Sequence, residues 1–188
     1  MQNAEALAAQ PVFVITLEAM ADVPAREALL DRAMGPGRKR KSSEKLRRGR
    51  QPAEGLAFVA RDVRGVVIGT VRLWNIRLGE DGAPALLLGP LAVDPALKGE
   101  GIGSALVRRA IIEAQRFGHR AILLVGDALY YGRFGFSAAR TSGLSMPGPY
   151  EPARLLALEI AEGALDGAHG TLRAIGRRTS PSKFAHAA

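Results

Sequence analysis

In the stretch "LAVDPALKGEGIGSALVRRAIIEAQRFGHRAILLVGD", Leu91 to Asp127, Lys98, Gly99, Gly101 and Gly103 fill the turn between an apolar run and a helix-periodic segment. Glycine loses more backbone freedom on folding than any other residue, so three of them at this spacing must supply something that other residues cannot. Without a Cβ the backbone can curl closely around an anion. The free N–H groups of the turn and of the first helical residues then point at that anion, and the helix dipole adds favourable potential. Lys98 places a mobile positive charge at the rim, and Ser104 is small enough to keep the approach open and can donate its hydroxyl. The chemistry predicted is the holding of a pyrophosphate.

Three anion-binding patterns compete for this turn. A P-loop needs Lys and then Ser/Thr after its last glycine, whereas Gly103 is followed by Ser104 and Ala105. A dinucleotide fingerprint needs a third glycine where the chain has Leu106, although Asp127 stands near the place of its strand-ending carboxylate. The third pattern rests on resemblance: "LAVDPALKGEGIGSALVRRAI" resembles motif A of the GNAT family of N-acetyltransferases, (Gln/Arg)-x-x-Gly-x-(Gly/Ala). Downstream, "DALYYGRFGF" at residues 127 to 136 resembles the family's motif B, in which a short helix presents a tyrosine four residues before a Gly-Phe pair. That tyrosine is Tyr131, ahead of Gly135 and Phe136. The wider run, including "LRRG" and the closing "PGPYEPARLLALEI", is similar to the YhbS-like branch, over about residues 12 to 172.

The resemblance implies an α/β acyl-CoA N-acyltransferase fold: a mixed, mostly antiparallel sheet flanked by helices, with two parallel central strands that splay apart. It implies acetyl-CoA as cosubstrate and a primary amine of a small molecule or protein as acceptor, acetylated by direct attack. Carried onto this chain, the backbone of Leu91, Ala92 and Val93 lies along the pantetheine arm. The amides of Gly99, Glu100, Gly101, Ile102, Gly103 and Ser104 hold the pyrophosphate with Lys98 at the rim, and Asp127 and Tyr131 complete the cofactor set. Tyr131 is the implied general acid for the departing thiolate, and the amide of Ala92 the group that polarises the carbonyl. Tyr130 competes with Tyr131, because a half-turn error in helix phase exchanges them. Two positions depart from the family pattern. Lys98 stands where Gln or Arg is usual, keeping the charge while losing the planar fork. Leu124 stands where an Asn is common, seven residues before Tyr131; Asp127, four before it, then becomes the N-cap of a helix about one turn shorter.

Composition bounds the rest. A chain of 188 residues with 47% apolar and 5% aromatic residues fits one domain with a substantial core. It contains no cysteine, which removes disulfides, thiolate metal sites and cysteine nucleophiles, and its three scattered histidines suggest no metal site. No apolar run approaches the roughly 20 residues that span a bilayer, so no membrane partner and a cytoplasmic location are expected. Of the formal +8, residues 38 to 50, "RKRKSSEKLRRGR", carry eight Lys/Arg against one Glu, leaving +1 for the rest. Such a patch can meet phosphates, a partner or an acidic substrate, or simply be solvated. It has no interleaved aromatic residue to stack a base, so a nucleic-acid partner is the less favoured reading, with a tRNA-linked acceptor as its variant. Lying over the cleft, it would disfavour polyamines and favour amines that also carry a carboxylate or phosphate. A homodimer is compatible with all of this.

The elements that must position these groups follow from periodicity. "VFVITL" at 12 to 17 predicts a strand, and "ADVPAREALLDRAM" a helix capped by Asp22 and stopped by "GPG". Ser42 or Ser43 can cap a short basic helix anchored by Leu46. "GLAFVARD" and "GVVIGTVRLWNIRL" predict a hairpin, and "APALLLGPLAVD" a central strand interrupted at Gly89 and Pro90. Proline donates no ladder hydrogen bond, so this point should be a bulge or a place where strands separate. The helix after the glycine turn has Ile102, Leu106, Ala110 and Ala114 on one stripe, joined by Val107, Ile111 and Phe117, with Arg108, Arg109, Glu113 and Arg116 polar. "AILLVG" follows as a buried parallel strand. The acceptor side is expected from the first two helices and the loop after the Trp74 strand, with Glu80, Asp81 and Asp127 the carboxylates nearest its mouth and no base singled out. Asp94 caps the turn after its strand, and His119 ends the long helix. Residues 1 to 11 and the basic segment 173 to 188 are expected to be flexible.

Overall fold

The computed structural model describes residues 13 to 179. The expected N-terminal segment 1 to 11, together with Val12, Pro181, Lys183 and His186, lies outside the described residues. Within them the chain runs β1 (Val14–Leu17), α1 (Val23–Met34), α2 (Glu44–Arg47), β2 (Ala57–Arg61), β3 (Val67–Arg77), β4 (Pro84–Val93), α3 (Ile102–Arg116), β5 (Ala121–Val125) and α4 (Ala128–Gly132). It continues with β6 (Leu144–Ser145), β7 (Leu155–Glu159), β8 (Gly170–Thr171) and β9 (Arg173–Ala174). The main sheet has the order β1-β2-β3-β4-β5-β7, with β9 added to the end of β3. Every pairing in it is antiparallel except β4 with β5. The mixed sheet expected from the family resemblance is therefore present.

Alternation along the strands divides the core into two faces. Val71 and Leu73 of β3, Leu86 and Leu88 of β4, and Ile122 and Leu124 of β5 pack with Ile102, Leu106, Val107, Ala110 and Ala114 of α3. Trp74, Ile76, Ala85, Leu87, Ala121 and Leu123 point the other way and pack with Leu46 of α2 and with Leu144, Leu155 and Leu172. Leu29 of α1 meets Val59 and Val67 on that second face. Strands covered on both sides read as unbroken apolar runs, which is why "AILLV" carries no polar residue.

Several local expectations change. Asp22 precedes α1 without capping it; its carboxylate accepts the Ala19 N–H at 2.8 Å and pairs with Arg61 at 2.5 Å. Ser43 occupies the cap position of α2 with no side-chain bond. Glu113 is buried within the polar stripe, held by Arg109 at 3.1 Å and Arg116 at 2.7 Å, whereas Phe117 stands half exposed beyond the helix end. Residues 173 to 176, expected in a flexible tail, return to the sheet, and 177 to 179 bond the loop ahead of β2. Ile76 and Arg77 pair with β9, the Gln51 N–H donates to the Arg177 carbonyl and the Thr179 N–H to the Gly49 carbonyl. A strand edge with unpaired backbone groups attracts such a segment.

Leu106 is fully buried between α3 and the sheet. Leu106→Ala should therefore lower unfolding stability by about 2–5 kcal/mol, the range for a buried leucine whose cavity closes only partly. Urea unfolding followed by far-UV circular dichroism and by the single tryptophan, Trp74, would check this. Because Trp74 lies on the opposite face, coincident transitions are expected, and separate ones would show that the two faces do not unfold together.

Candidate active site

The site begins with a defect in β4. Val71 lies opposite Leu91 and Leu73 opposite Leu88, so two steps along β3 span three along β4. The extra residue falls at Gly89 and Pro90, as the interrupted strand predicted. Parallel pairing joins Leu86 to Ile122 and Leu87 to Leu123, and after that β4 leaves β5. Past the bulge, the Asp94 N–H donates to the Ile68 carbonyl at 2.9 Å. Antiparallel ladders alternate between pairs that exchange hydrogen bonds and pairs whose backbone groups point outward. With Asp94 bonded to Ile68, Ala92 is bonded to Thr70, and the N–H and C=O groups of Leu91 and Val93 turn into the splay. The polarising amide expected of Ala92 is therefore committed to β3, and its neighbours Leu91 and Val93 face the opening.

The glycine turn lies directly beyond. Asp94 caps it as expected, accepting the Ala96 N–H at 3.1 Å and an Arg32 bond at 3.0 Å; these two contacts hold its carboxyl below the ordinary value. Gly99 (φ 97°) and Gly101 (φ 79°) both occupy the left-handed region, and nothing lies within 4 Å of where a Cβ would stand. Among the described residues no backbone acceptor meets the Gly99 or Gly101 N–H. The amides of Ile102, Gly103 and Ser104 open α3, where helix geometry leaves N–H groups free. Lys98 and Glu100 are exposed at the rim. Gly103 has a different reason for being glycine, since a Cβ there would stand 2.9 Å from the Tyr130 hydroxyl.

Helix α4 closes the opening. Asp127 is its N-cap, accepting the Tyr130 N–H at 2.7 Å, so this carboxylate is engaged in the helix start. Tyr130 and Tyr131 meet edge to face with centroids 4.9 Å apart. The Tyr130 hydroxyl reaches the first turn of α3 beside Val93, and the Tyr131 ring lies over Gly126 at the end of β5, edge-on to Phe136 at 5.9 Å. The pair thus brackets the splay. Burial, reinforced by Tyr130, raises the Tyr131 hydroxyl pKa well above that of a free tyrosine. The sequence reading missed Arg133, whose guanidinium stacks on Tyr130 at 4.6 Å and reaches the Ser104 hydroxyl at 3.4 Å. Arg133 is the C-cap of α4, three residues beyond Tyr130, and that spacing was the available signal.

On the other face, Pro90 and Trp74 line a cavity of about 190 Å³ walled by α1 and α2. The Trp74 indole N–H donates to the Gly89 carbonyl at 2.5 Å, fixing the bulge from this side. The first two helices, expected on the acceptor side, wall this cavity, and the loop after β3 lies elsewhere. Glu80 and Asp81 line a separate cavity of about 440 Å³ with His169, and Glu80 pairs with Arg173 at 3.0 Å. From Pro84 to Pro90 the strand rises about 20 Å, which keeps these carboxylates from the bulge. The carboxylates that do line the cavity are Glu27 and Glu44. Burial pushes the Glu27 carboxyl up, and its bonds to Arg38 and Arg26 outweigh that and hold it below its ordinary value. His119, at the far end of the 15-residue α3, is about 22 Å of helix rise from the glycine turn. Among the described residues, no three His, Asp or Glu side chains gather as a metal site, and no helix is long and apolar enough to cross a membrane.

The basic segment is partly structural. Arg38 pairs with Glu27 and Asp31, Arg47 with Glu44, and Arg50 donates to the Gly176 carbonyl, while Lys39, Arg40, Lys41, Lys45 and Arg48 are exposed. A larger cavity of about 720 Å³ opens beside Glu18, Arg50 and Arg177, and it includes no residue of β4 or α3.

Comparison with known proteins agrees with this fold. The family model described as "Acetyltransferase (GNAT) domain" matches residues 53–138. The uncharacterized N-acetyltransferase YhbS of Escherichia coli strain K12 is 31% identical over 158 residues, 84% of this chain and 93% of the relative. The chain belongs to the GNAT family of acetyltransferases. Within that family it groups with the YhbS-like branch. The crystal structure of Escherichia coli YhbS in complex with CoA matches this GNAT chain with a TM-score of 0.75 at 29% identity, covering 88% of it and 91% of YhbS. A GNAT acetyltransferase from Brucella melitensis in complex with acetyl-CoA matches with a TM-score of 0.56 at 26% identity, covering 82% of this chain and 99% of that one.

In this GNAT protein the bulge should depend on the indole bond. Trp74→Phe should cost about 0.5–1.5 kcal/mol, because it removes the indole bond to the half-buried Gly89 carbonyl. Thermal unfolding by circular dichroism would measure it, and an unchanged transition would mean that the indole does not hold the strand break.

Proposed function

We propose that the protein transfers the acetyl group of acetyl-CoA to a primary amine by direct attack, the amine entering from the α1 and α2 face. The observation that carries this reading is the departure of β4 from β5 after Leu87, which leaves outward backbone groups leading to the free amides at the start of α3. The residues fit such a cosubstrate: an amide-bearing arm can continue the ladder on Leu91 and Val93, and a pyrophosphate can accept from the Gly99 to Ser104 turn. Lys98 and Arg133 add positive charge on the two sides of that turn. Two family members crystallised with CoA or acetyl-CoA support the same reading.

Acetyl-CoA supplies an activated thioester. The neutral amine attacks its carbonyl carbon, a C–N bond forms, and the oxygen gains negative charge. The Leu91 N–H, turned into the splay next to the bulge, is the donor in this reading for that oxygen. Collapse breaks the C–S bond, and the Tyr131 hydroxyl gives its proton to the departing thiolate. Tyr131 is protonated at neutral pH, as an ordinary tyrosine already is, and the proton lost by the amine returns through water to the tyrosinate left behind. Glu27, held below its ordinary value by Arg38 and Arg26, is poorly disposed to accept that proton.

Calorimetry of the purified chain with CoA tests the donor half, and absence of both heat and thermal stabilisation would overturn it. Gly101→Val should weaken CoA binding by about ten-fold or more by filling the space needed by the anion, at a cost in stability of about 1–2 kcal/mol for the left-handed backbone. Tyr131→Phe should lower kcat by about 10²–10⁴-fold while CoA affinity stays within about two-fold. Tyr130→Phe should change kcat far less. Normal turnover by the Tyr131 variant would remove it from the general-acid role.

A further inference from the structure

The cavity beside Pro90 has an uneven charge lining: five basic side chains against two carboxylates, Glu27 and Glu44. Arg38 makes charged bonds to both Glu27 and Asp31, whereas Arg47 and Arg72 each make one. The Arg47 side chain is 10% exposed and makes one charged bond, from Nη2 to Glu44 at 3.0 Å. Its Nη1 approaches Gly89, coming within 3.7 Å of where a Cβ would stand. Arg72, 16% exposed, also makes one charged bond, from Nη2 to Glu18 at 3.1 Å, and its Nε is buried without a partner. The Arg72 guanidinium stands 5.1 Å from the Trp74 ring centre, and Trp74 holds the bulge. A guanidinium carries five N–H donors, so both residues keep unspent donors at the cavity next to the strand break.

We propose that Arg47 and Arg72 form an anion-binding subsite for the acceptor, so that the amine acetylated here belongs to a small molecule or chain end that also bears a carboxylate or phosphate. The inference rests on the acetyl-transfer reading of the same cleft and adds to it the acceptor's chemical class. Burial drives the pKa of each guanidinium down, with Glu44 and Glu18 offsetting only part of the effect. Arginine nonetheless stays protonated in proteins, so each is a poorly solvated cation that an arriving anion would relieve. A planar fork suits two-oxygen groups. The volume of about 190 Å³ is below the usual range of about 300–1,000 Å³ for drug-sized ligands, which restricts the bound part to a small acid. Polyamines meet the opposite condition, a cation against a cationic wall.

The test compares acceptors that differ only in the anion: leucine against leucinamide, and phosphoethanolamine against ethanolamine, at matched concentrations of free amine. Released CoA thiol gives kcat/KM for each. At least one acid should exceed its neutral counterpart by about ten-fold or more, the size expected for charged hydrogen bonds. The leucine and phosphoethanolamine arms separate a carboxylate source from a phosphate source. Arg47→Gln and Arg72→Gln should each collapse that preference through KM while CoA affinity by calorimetry stays within about two-fold, and Arg47→Lys should restore part of it. Because Trp74 is the single tryptophan and lines the cavity, its fluorescence gives a second readout that needs no turnover. An acid should perturb it and its neutral counterpart should not. Equal kcat/KM for acids and neutral amines, preference for spermidine, or a fluorescence response blind to the anion would overturn the subsite. Failure of CoA to bind would instead overturn the acetyl-transfer reading, leaving the fluorescence result to decide on the subsite by itself.

Discussion

The separation of β4 from β5 is the constraint from which the rest of the site follows. A central strand normally spends its N–H and C=O groups on two neighbours, and buried groups left over are costly. Here the bulge at Gly89 and Pro90 shifts the register against β3, while β5 stops pairing at Leu123 and continues to Val125 against β7. Leu91 and Val93 consequently keep outward groups in the middle of a sheet. A gap of this kind is stable only if something holds its sides apart. The Trp74 indole pins the bulge from one face, and Tyr130 and Tyr131 of α4 stand across the other.

That one interruption serves both faces of the sheet. Toward α3, it joins the open backbone of β4 to the glycine turn, where positive φ at Gly99 and Gly101 keeps amides free of internal partners. Toward α1 and α2, Pro90 forms the floor of the cavity that contains Arg47 and Arg72. In the proposed reaction, donor and acceptor would meet where the strands part, the point that both faces share.

The charged wall on the α1 and α2 face is expensive to build. Glu18 binds Arg26 at 2.5 Å and Arg72 at 3.1 Å, and all three side chains are nearly or largely buried. Taking such charges from water often costs as much as their attraction returns. Their stabilising value is therefore a weak reason for their presence. Their effect on position is clearer: Glu18 and the Trp74 ring hold Arg72 between the two cavities of this face.

Much of this was legible from residue order because it depends on short-range chemistry. Proline cannot donate to a ladder, so the strand break at Pro90 could be read directly; the apolar stripe of α3 and the unbroken run of β5 announced a helix packed on a doubly covered strand. Asp127 followed from capping, and motif resemblance supplied the family. Which backbone groups face the splay could not be read, because that depends on whether Ala92 or its neighbours bond β3, a parity set by one bond from Asp94 to Ile68. Nor could the sequence tell that residues 173 to 176 return to the sheet or that Glu80 lies far from the bulge. The basic run at 38 to 50 looked like one patch in sequence. Folding divided it, giving Arg38 to Glu27 and Asp31 and turning Arg47 to the bulge, because pairing of charges across a core is decided by distances between elements far apart in the chain.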